Sequence, residues 1–364
     1  MPVPAKVGGV FRHHDQVVHP GKDGELTAGA DVGLASRIRL YGDHDDVVHP
    51  SAADDGPDHR TDRESEGTDH EGDVERGPRL RAERVETHAE HGTGAERGHH
   101  AGRYARLMTW LQVEDRDAVR TITITRPERR NAIPPDGWGE LTAVFEDFGT
   151  SPARVLVLRG AGGDFCAGAD LGDQLTPYPV VEGKRRMKVT GGAALALHRL
   201  TKPTIAVVDG VAVGAGMNMA IGCDAVIATT RARFAEIFVR RGLTLDFGGS
   251  WLLPRVVGIQ RAKDLALSGR IVDAGEAFAL GLCLAVVEPG DLEARLAEQI
   301  ERFLAGAPVA QMFAKQAIDH AWDVSFEDAL DWEGQSQAIC FTTADFVEGV
   351  RSFQNKRPPE FQGR

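Results

Sequence analysis

Backbone amides and one carboxylate are the clearest chemistry in this sequence. The stretch Gly160-Ala-Gly-Gly-Asp-Phe-Cys-Ala-Gly-Ala-Asp-Leu171 is dense in glycine and directly follows the apolar run Val155-Leu-Val-Leu158. The chain must turn hard there, and such a turn can aim main-chain N–H groups inward. The same arrangement returns where Pro203-Thr-Ile-Ala-Val-Val-Asp-Gly-Val-Ala-Val213 reads as a strand and Gly214-Ala-Gly-Met-Asn-Met-Ala220 opens a helix. A helix start carries unpaired N–H donors and partial positive charge. One bent loop facing one helix start makes a two-donor pocket for an oxygen on which negative charge develops. Further along, Leu243-Thr-Leu-Asp-Phe-Gly-Gly-Ser-Trp-Leu-Leu-Pro254 sets an acid, Asp246, beside two glycines just before an expected helix. Apolar neighbours such as Leu245, Phe247 and Trp251 would raise that carboxyl toward the strength of a useful general base. Its competing role is the N-cap of the helix that follows.

The elements that must position these groups follow from patterning. Val155 to Leu158 has the unbroken apolar character of a strand covered on both faces, and Val119-Arg-Thr-Ile-Thr-Ile-Thr125 alternates as a half-buried strand. Arg126-Pro-Glu-Arg-Arg-Asn-Ala-Ile-Pro-Pro135 breaks it with a basic turn, and Trp138, Leu141, Val144, Phe145 and Phe148 then recur at helical spacing. A second unit joins a helix around Gly192 to Leu200 to the strand Thr204 to Val208, and Asp224 to Thr229 is a further short strand. Phe234 to Arg241 reads as amphipathic. From Pro308 onward the apolar stripes of Met312, Ile318 and Trp322, of Phe326 and Leu330, and of Phe346, Val350 and Phe353 predict helices. The fold class is α/β.

Residues 1–107 are different in kind. They hold eleven of the 13 His and no Trp, and their 21 acidic and 14 basic residues contribute −7 of the net −12. Such a segment cannot bury a useful core, so a disordered leader is expected, with Met108 as a plausible true start. Two related segments within it, His14-Asp-Gln-Val-Val-His-Pro20 and His44-Asp-Asp-Val-Val-His-Pro50, pair imidazoles with carboxylates in a way that suits zinc or nickel. No apolar framework flanks them, so they are read as polar leader and no metal site is assigned. No signal peptide or membrane span is expected, which places the protein in the cytoplasm with no membrane or nucleic-acid partner. Cys166, Cys223, Cys283 and Cys340 are widely spaced and are read as reduced thiols.

Phe165-Cys-Ala-Gly-Ala-Asp-Leu171, Val208-Asp-Gly-Val-Ala-Val-Gly-Ala-Gly216 and Gly242-Leu-Thr-Leu-Asp-Phe-Gly-Gly-Ser-Trp-Leu-Leu-Pro-Arg-Val-Val-Gly258 together resemble the crotonase, or enoyl-CoA hydratase/isomerase, superfamily. Each motif alone is weak; three in this order and spacing are specific. The resemblance runs from about Met108 to the C-terminus, where Ala344-Asp-Phe-Val-Glu-Gly-Val-Arg-Ser-Phe353 is similar to the family's last helix. It implies a crotonase-type ββα spiral core over 108–300 and a helical oligomerisation region over 301–364. It also implies a homotrimer or dimer of trimers, and an acyl-CoA thioester as substrate, with no cofactor beyond the CoA that the substrate carries.

Carried over position by position, the resemblance puts the oxyanion donors on the N–H groups of Ala169 and Ala215. Substrate-contacting positions fall on Cys166, Ala167, Gly168, Asp170 and Leu171, on Gly214, Gly216, Asn218 and Phe238, and on Arg130 in the basic turn. Arg126 and Arg129 are further candidates in that turn for the CoA phosphates, and acyl-pocket walls are expected from Gln174 to Val189. Hydratases of the family use two Glu, and Asn218 and Phe238 occupy those places here. Glu236, two residues before Phe238, would be turned about 200° away in a helix and is read as exposed or structural. Asp246 remains as the base, in a segment resembling the phenylacetyl-CoA epoxide isomerase branch. An acyl-CoA isomerase is the first reading and an enoyl-CoA hydratase the second. Two other classes stay open: a non-catalytic acyl-CoA binder, and a nicotinamide-dependent oxidoreductase suggested by Gly214-x-Gly216-x-x-Met219 with Glu236 downstream.

Overall fold

The computed structural model describes residues 109–172 and 176–364, all within one unit. The expectations for residues 1–107, the paired-His segments and Met108 among them, lie outside the described residues. Strands β1 (Leu111–Arg116) and β2 (Val119–Ile124) form an antiparallel hairpin. Parallel strands β3 (Val155–Gly160), β4 (Thr204–Val208), β6 (Ala225–Thr229) and β9 (Ala285–Val287) extend it, in the order β1-β2-β3-β4-β6-β9. A second sheet joins β5 (Val211–Val213), β7 (Arg233–Ala235) and β8 (Val272–Asp273). The expected strand Pro203 to Val213 is thus two strands in two sheets. It breaks at Gly210, whose φ of +71° and close approach to the Gly163 carbonyl admit no side chain.

The unbroken apolar runs are explained by what covers each face. Leu156, Leu158, Ala206 and Val208 point into the main core beneath α1 (Gly137–Thr150) and α2 (Val180–His198). Val155, Val157, Ile205 and Val207 point the other way, onto Leu292 and Leu296 of α7 (Leu292–Leu304). Each such side chain, removed from water on folding, stabilises by about 1.5–3 kcal/mol. The remaining helices are α3 (Ala215–Ile221), α4 (Gly249–Val257), α5 (Ile259–Ser268), α6 (Ala274–Leu280), α8 (Pro308–His320), α9 (Phe326–Phe341) and α10 (Ala344–Gln354).

The division at 300/301 falls inside α7, because that helix belongs to the sheet it packs on; the chain leaves the sheet only after Leu304. The last three helices are then tied back to the core by Lys315, which donates to Asp224 Oδ2 at 2.8 Å, and by Arg154, which donates to the Gly306 carbonyl at 2.6 Å. They present Ile318, Phe326 and Phe353 to solvent, as the turn between α8 and α9 does Trp322. Among the described residues no helix is long and apolar enough to cross a membrane.

Candidate active site

The site is made where the two glycine-rich turns are sewn to each other and to the basic turn. Asn131, in a left-handed conformation and fully buried, donates to the carbonyls of Ala161 and Asp164 at 2.8 and 2.7 Å, and so pins the first loop. Ile133 bridges Ala169 in parallel: its N–H donates to the Gly168 carbonyl and its carbonyl accepts from Asp170, each at 2.8 Å. That pattern engages the groups on either side of Ala169 and turns the Ala169 N–H the other way. Cys166 bridges Ala212 in the same fashion, with the Val213 N–H donating to the Cys166 carbonyl at 3.0 Å. Gly214, at φ +58°, then swings the chain into α3, whose first residue is Ala215. Among the described residues the N–H groups of Ala169 and Ala215 have no protein acceptor. A Cβ on Gly168 would lie 3.4 Å from the Ala215 nitrogen, so the two donor segments are in direct contact.

Ala169 and Ala215 line a cavity of about 460 Å³. Of the positions singled out in the sequence, Ala167, Gly168, Ala169 and Leu171 line it together with Gly214, Ala215, Phe238, Asp246 and Arg130. Cys166, Asp170, Gly216 and Asn218 do not, and each has other work. Cys166 is fully buried, and burial pushes its thiol up to about 12. Asp170 accepts from Arg126 at 2.8 Å, which also removes Arg126 from the set free to meet phosphate. Gly216 gives room to the Cys166 carbonyl, a packing duty that accounts for the glycine without a dinucleotide. The expected acyl walls are also displaced: Arg186 lies over the Tyr178 ring and pairs with Glu182, residues 173–175 lie outside the described residues, and the described remainder of that stretch does not line the cavity. Arg233, Arg241 and Ile271 line it instead. No local pattern marks them, since they reach the cavity from β7, from the turn Ile237–Arg241 and from just before β8.

Asp246 does not cap α4; Gly248 stands at that position and no side chain caps the helix. The Asp246 Oδ1 is buried and without a partner, and burial pushes the carboxyl up to about 6. It is therefore largely ionised near neutrality and still a competent base. Of the two roles read for Glu236, exposed or structural, its burial leaves the structural one. Phe234 to Arg241 is not one helix but β7 followed by a 3-10 turn, Ile237–Arg241, and Glu236 at their junction is fully buried. Burial, aided by the negative charge of Asp246, pushes it up to about 8. Asn218 stands between the two, with Nδ2 donating to the Asp246 main-chain carbonyl at 3.0 Å and to Glu236 Oε2 at 3.4 Å.

Comparison with known proteins gives the family to which this fold and cavity belong. Residues 114–364 match the enoyl-CoA hydratase/isomerase family model, and the chain belongs to that family. It is 37% identical over 264 residues to the 1,2-epoxyphenylacetyl-CoA isomerase of Escherichia coli (strain K12), spanning 71% of this chain and 100% of that protein. It is 35% identical over 251 residues to the short-chain-enoyl-CoA hydratase of Clostridium acetobutylicum, spanning 68% and 95%. Among solved structures, an enoyl-CoA hydratase/isomerase from Cupriavidus metallidurans CH34 superimposes with a TM-score of 0.65 at 36% identity, over 71% of this chain and 98% of that one. The crotonase fold expected from the motifs is thereby shown, and the chain is an acyl-CoA enzyme of this family; the dinucleotide and non-catalytic readings are set aside.

Proposed function

We propose that the protein isomerises an unsaturated or ring acyl-CoA by proton transfer, with Asp246 as the single base and the N–H groups of Ala169 and Ala215 as the oxyanion hole. One observation carries this reading: among the described residues Asp246 is the one carboxylate on the wall of the cavity that Ala169 and Ala215 also line. Breaking a C–H bond α or γ to the thioester sends its electron pair toward the carbonyl oxygen and its proton to Asp246. Each well-aimed donor to that oxygen lowers the barrier by about 2.7–4 kcal/mol. The same carboxylate then returns the proton to another carbon, so no second acid is required. Phe238, an apolar residue on the cavity wall, leaves no base at its position to take a proton from water. Arg130, Arg233 and Arg241 supply guanidinium groups for the CoA phosphates. No separate cofactor is needed in this scheme. The apolar faces of α8 to α10 suit a homotrimer, and the reaction suits the cytoplasm.

The hydratase alternative is favoured by one feature, the second carboxylate of Glu236 near Asp246. Incubating a panel of unsaturated and ring acyl-CoA thioesters in deuterated water separates the two. The proposal expects isomers carrying deuterium at the α or γ carbon. A dominant 3-hydroxyacyl product, heavier by one water, would replace it with the hydratase reading.

A further inference from the structure

Glu236 and Asn218 form a buried polar pair whose own hydrogen bonds do not close. Both side chains are fully buried. The Asn218 amide nitrogen donates to Glu236 Oε2 and to the Asp246 carbonyl, while Asn218 Oδ1 and Glu236 Oε1 are buried without any partner. Two orphaned acceptors on two groups already bonded to each other lack one thing, a donor. A single proton on Glu236 supplies it: Oε1 becomes an O–H that donates to Asn218 Oδ1, and acid and amide close a two-bond ring. Left ionised, Glu236 would be a buried charge held by one long hydrogen bond, which desolvation strongly disfavours.

The pair matters because of what Asn218 holds. The Asp246 carbonyl accepts from the Gly249 N–H at 2.9 Å and from Asn218 at 3.0 Å, at the start of a turn that puts Phe247 at φ +49° and Gly248 at φ +80°. A non-glycine residue in that region is strained and persists only where its surroundings fix it. Gly249 is fitted to the same contact: a Cβ there would lie 2.3 Å from Asn218 Nδ2.

We propose that Glu236 acts as a neutral acid paired with the Asn218 amide, and that this pair is a positioning device that holds the Asp246 turn at the oxyanion cavity. The proposal rests on Asp246 being the base. Burial, which pushes Glu236 up to about 8, agrees with it. Among the described residues Asp246 is the charged group that acts on Glu236. On the surrounding elements, Arg233 donates to the carbonyls of Thr230 and Ala232, Arg240 to that of Ser268, Arg270 pairs with Asp264 and Glu276, and Asp273 caps α6.

The test compares Glu236→Gln, Glu236→Ala and Asp246→Asn in the full-length protein, by kcat, KM, pH profile and infrared absorption. Glutamine copies the neutral acid, with its amide donating where the O–H did, so Glu236→Gln should keep kcat near pH 7. It should lose an alkaline decline centred near pH 8 that the parent shows, together with a protonated-carboxyl carbonyl band. Glu236→Ala should lower kcat on the order of 10–100-fold with KM nearly unchanged, the scale of a base displaced by a fraction of an ångström to an ångström. Glu236→Gln as slow as Glu236→Ala would overturn the proposal, as would Glu236→Ala with the parent's kcat and pH profile. Asp246→Asn retaining full activity would instead discard the base assignment, an outcome the Glu236 variants cannot produce.

Discussion

A Cβ added to Gly216 would lie 2.2 Å from the carbonyl oxygen of Cys166. The helix start that carries one proposed oxyanion donor, Ala215, is thus seated on the backbone of the loop that carries the other, Ala169, and their spacing depends on the absence of one methyl group. Gly216→Ala must push two backbones apart. The expected outcome is a loss of about 1–3 kcal/mol of stability from overpacking and a larger fractional loss in kcat than in substrate affinity. Gly183→Ala, in α2 with nothing within 4 Å, is the control. It should leave turnover unchanged and raise the melting temperature slightly through helix propensity. Thermal melts and steady-state kinetics on the two variants check this.

Most of the donor framework was legible because it is local. A run such as Val155 to Leu158 followed by glycines can only be a covered strand and a sharp turn, and Gly214 to Ala220 declares its own helix. The acids were harder. Asp246 is singled out by the resemblance of its segment, whereas one amphipathic helix over Phe234 to Arg241 leaves Glu236 exposed or structural, and its burial keeps only the second. Phe234 to Glu236 is buried while Val239 to Arg241 is exposed, and the groups that meet Glu236, Asn218 and Asp246, lie 18 and 10 positions away in a pattern no local period encodes. The pairing of Arg126 with Asp170 across 44 positions was hidden for the same reason.

The arginines of the basic turn should separate by role. Arg126 is bound to Asp170 and to the Ala132 carbonyl, whereas Arg130 is exposed on the cavity wall. Arg130→Gln is expected to raise KM for an acyl-CoA by up to about fivefold at low salt, less at moderate salt, consistent with about 1 kcal/mol for an exposed charge pair. Arg126→Gln should instead lower the melting temperature, because it unties the loop that holds Ala169. An unchanged KM for Arg130→Gln at both salt concentrations would remove this residue from the CoA site.

A chain begun at Met108 is expected to match the full chain in turnover and in melting temperature. The family match begins at residue 114, and every group assigned a role lies after it. Side-by-side kinetics and calorimetry decide the matter; a loss of activity on removing residues 1–107 would give that segment a function.

Burial should write itself into the pH dependence of stability. Glu236 is raised from 4.5 to about 8, so its neutral form is the one the folded state prefers. That contribution is complete below pH 4.5 and is lost as pH rises through about 8. Glu236→Gln abolishes the titration, so its melting temperature relative to the parent should climb between pH 5 and pH 9. A gap that stays constant over that range would show that Glu236 does not titrate in the folded protein as its burial requires.

Asp246 gives the sharpest prediction. Its carboxyl is raised from 3.8 to about 6 by burial, and only the ionised form can take a proton, so kcat/KM should fall tenfold per pH unit below about pH 6. Asp246→Asn keeps the shape and the main-chain carbonyl that Asn218 and Gly249 hold, but removes the base. Isomerisation should therefore drop by roughly 10²–10⁴-fold, the scale of general acid–base assistance. Acyl-CoA affinity should persist, because the donors at Ala169 and Ala215 are backbone groups that the substitution does not touch. Stability should move the other way: a buried carboxylate of raised pKa destabilises the fold where it is ionised, so the Asn variant should melt higher than the parent above pH 6. Calorimetry of acyl-CoA binding, thermal melts and turnover of the two proteins measure all three effects. A variant that binds normally, melts higher and still isomerises at the parental rate would end the case for Asp246 as the base.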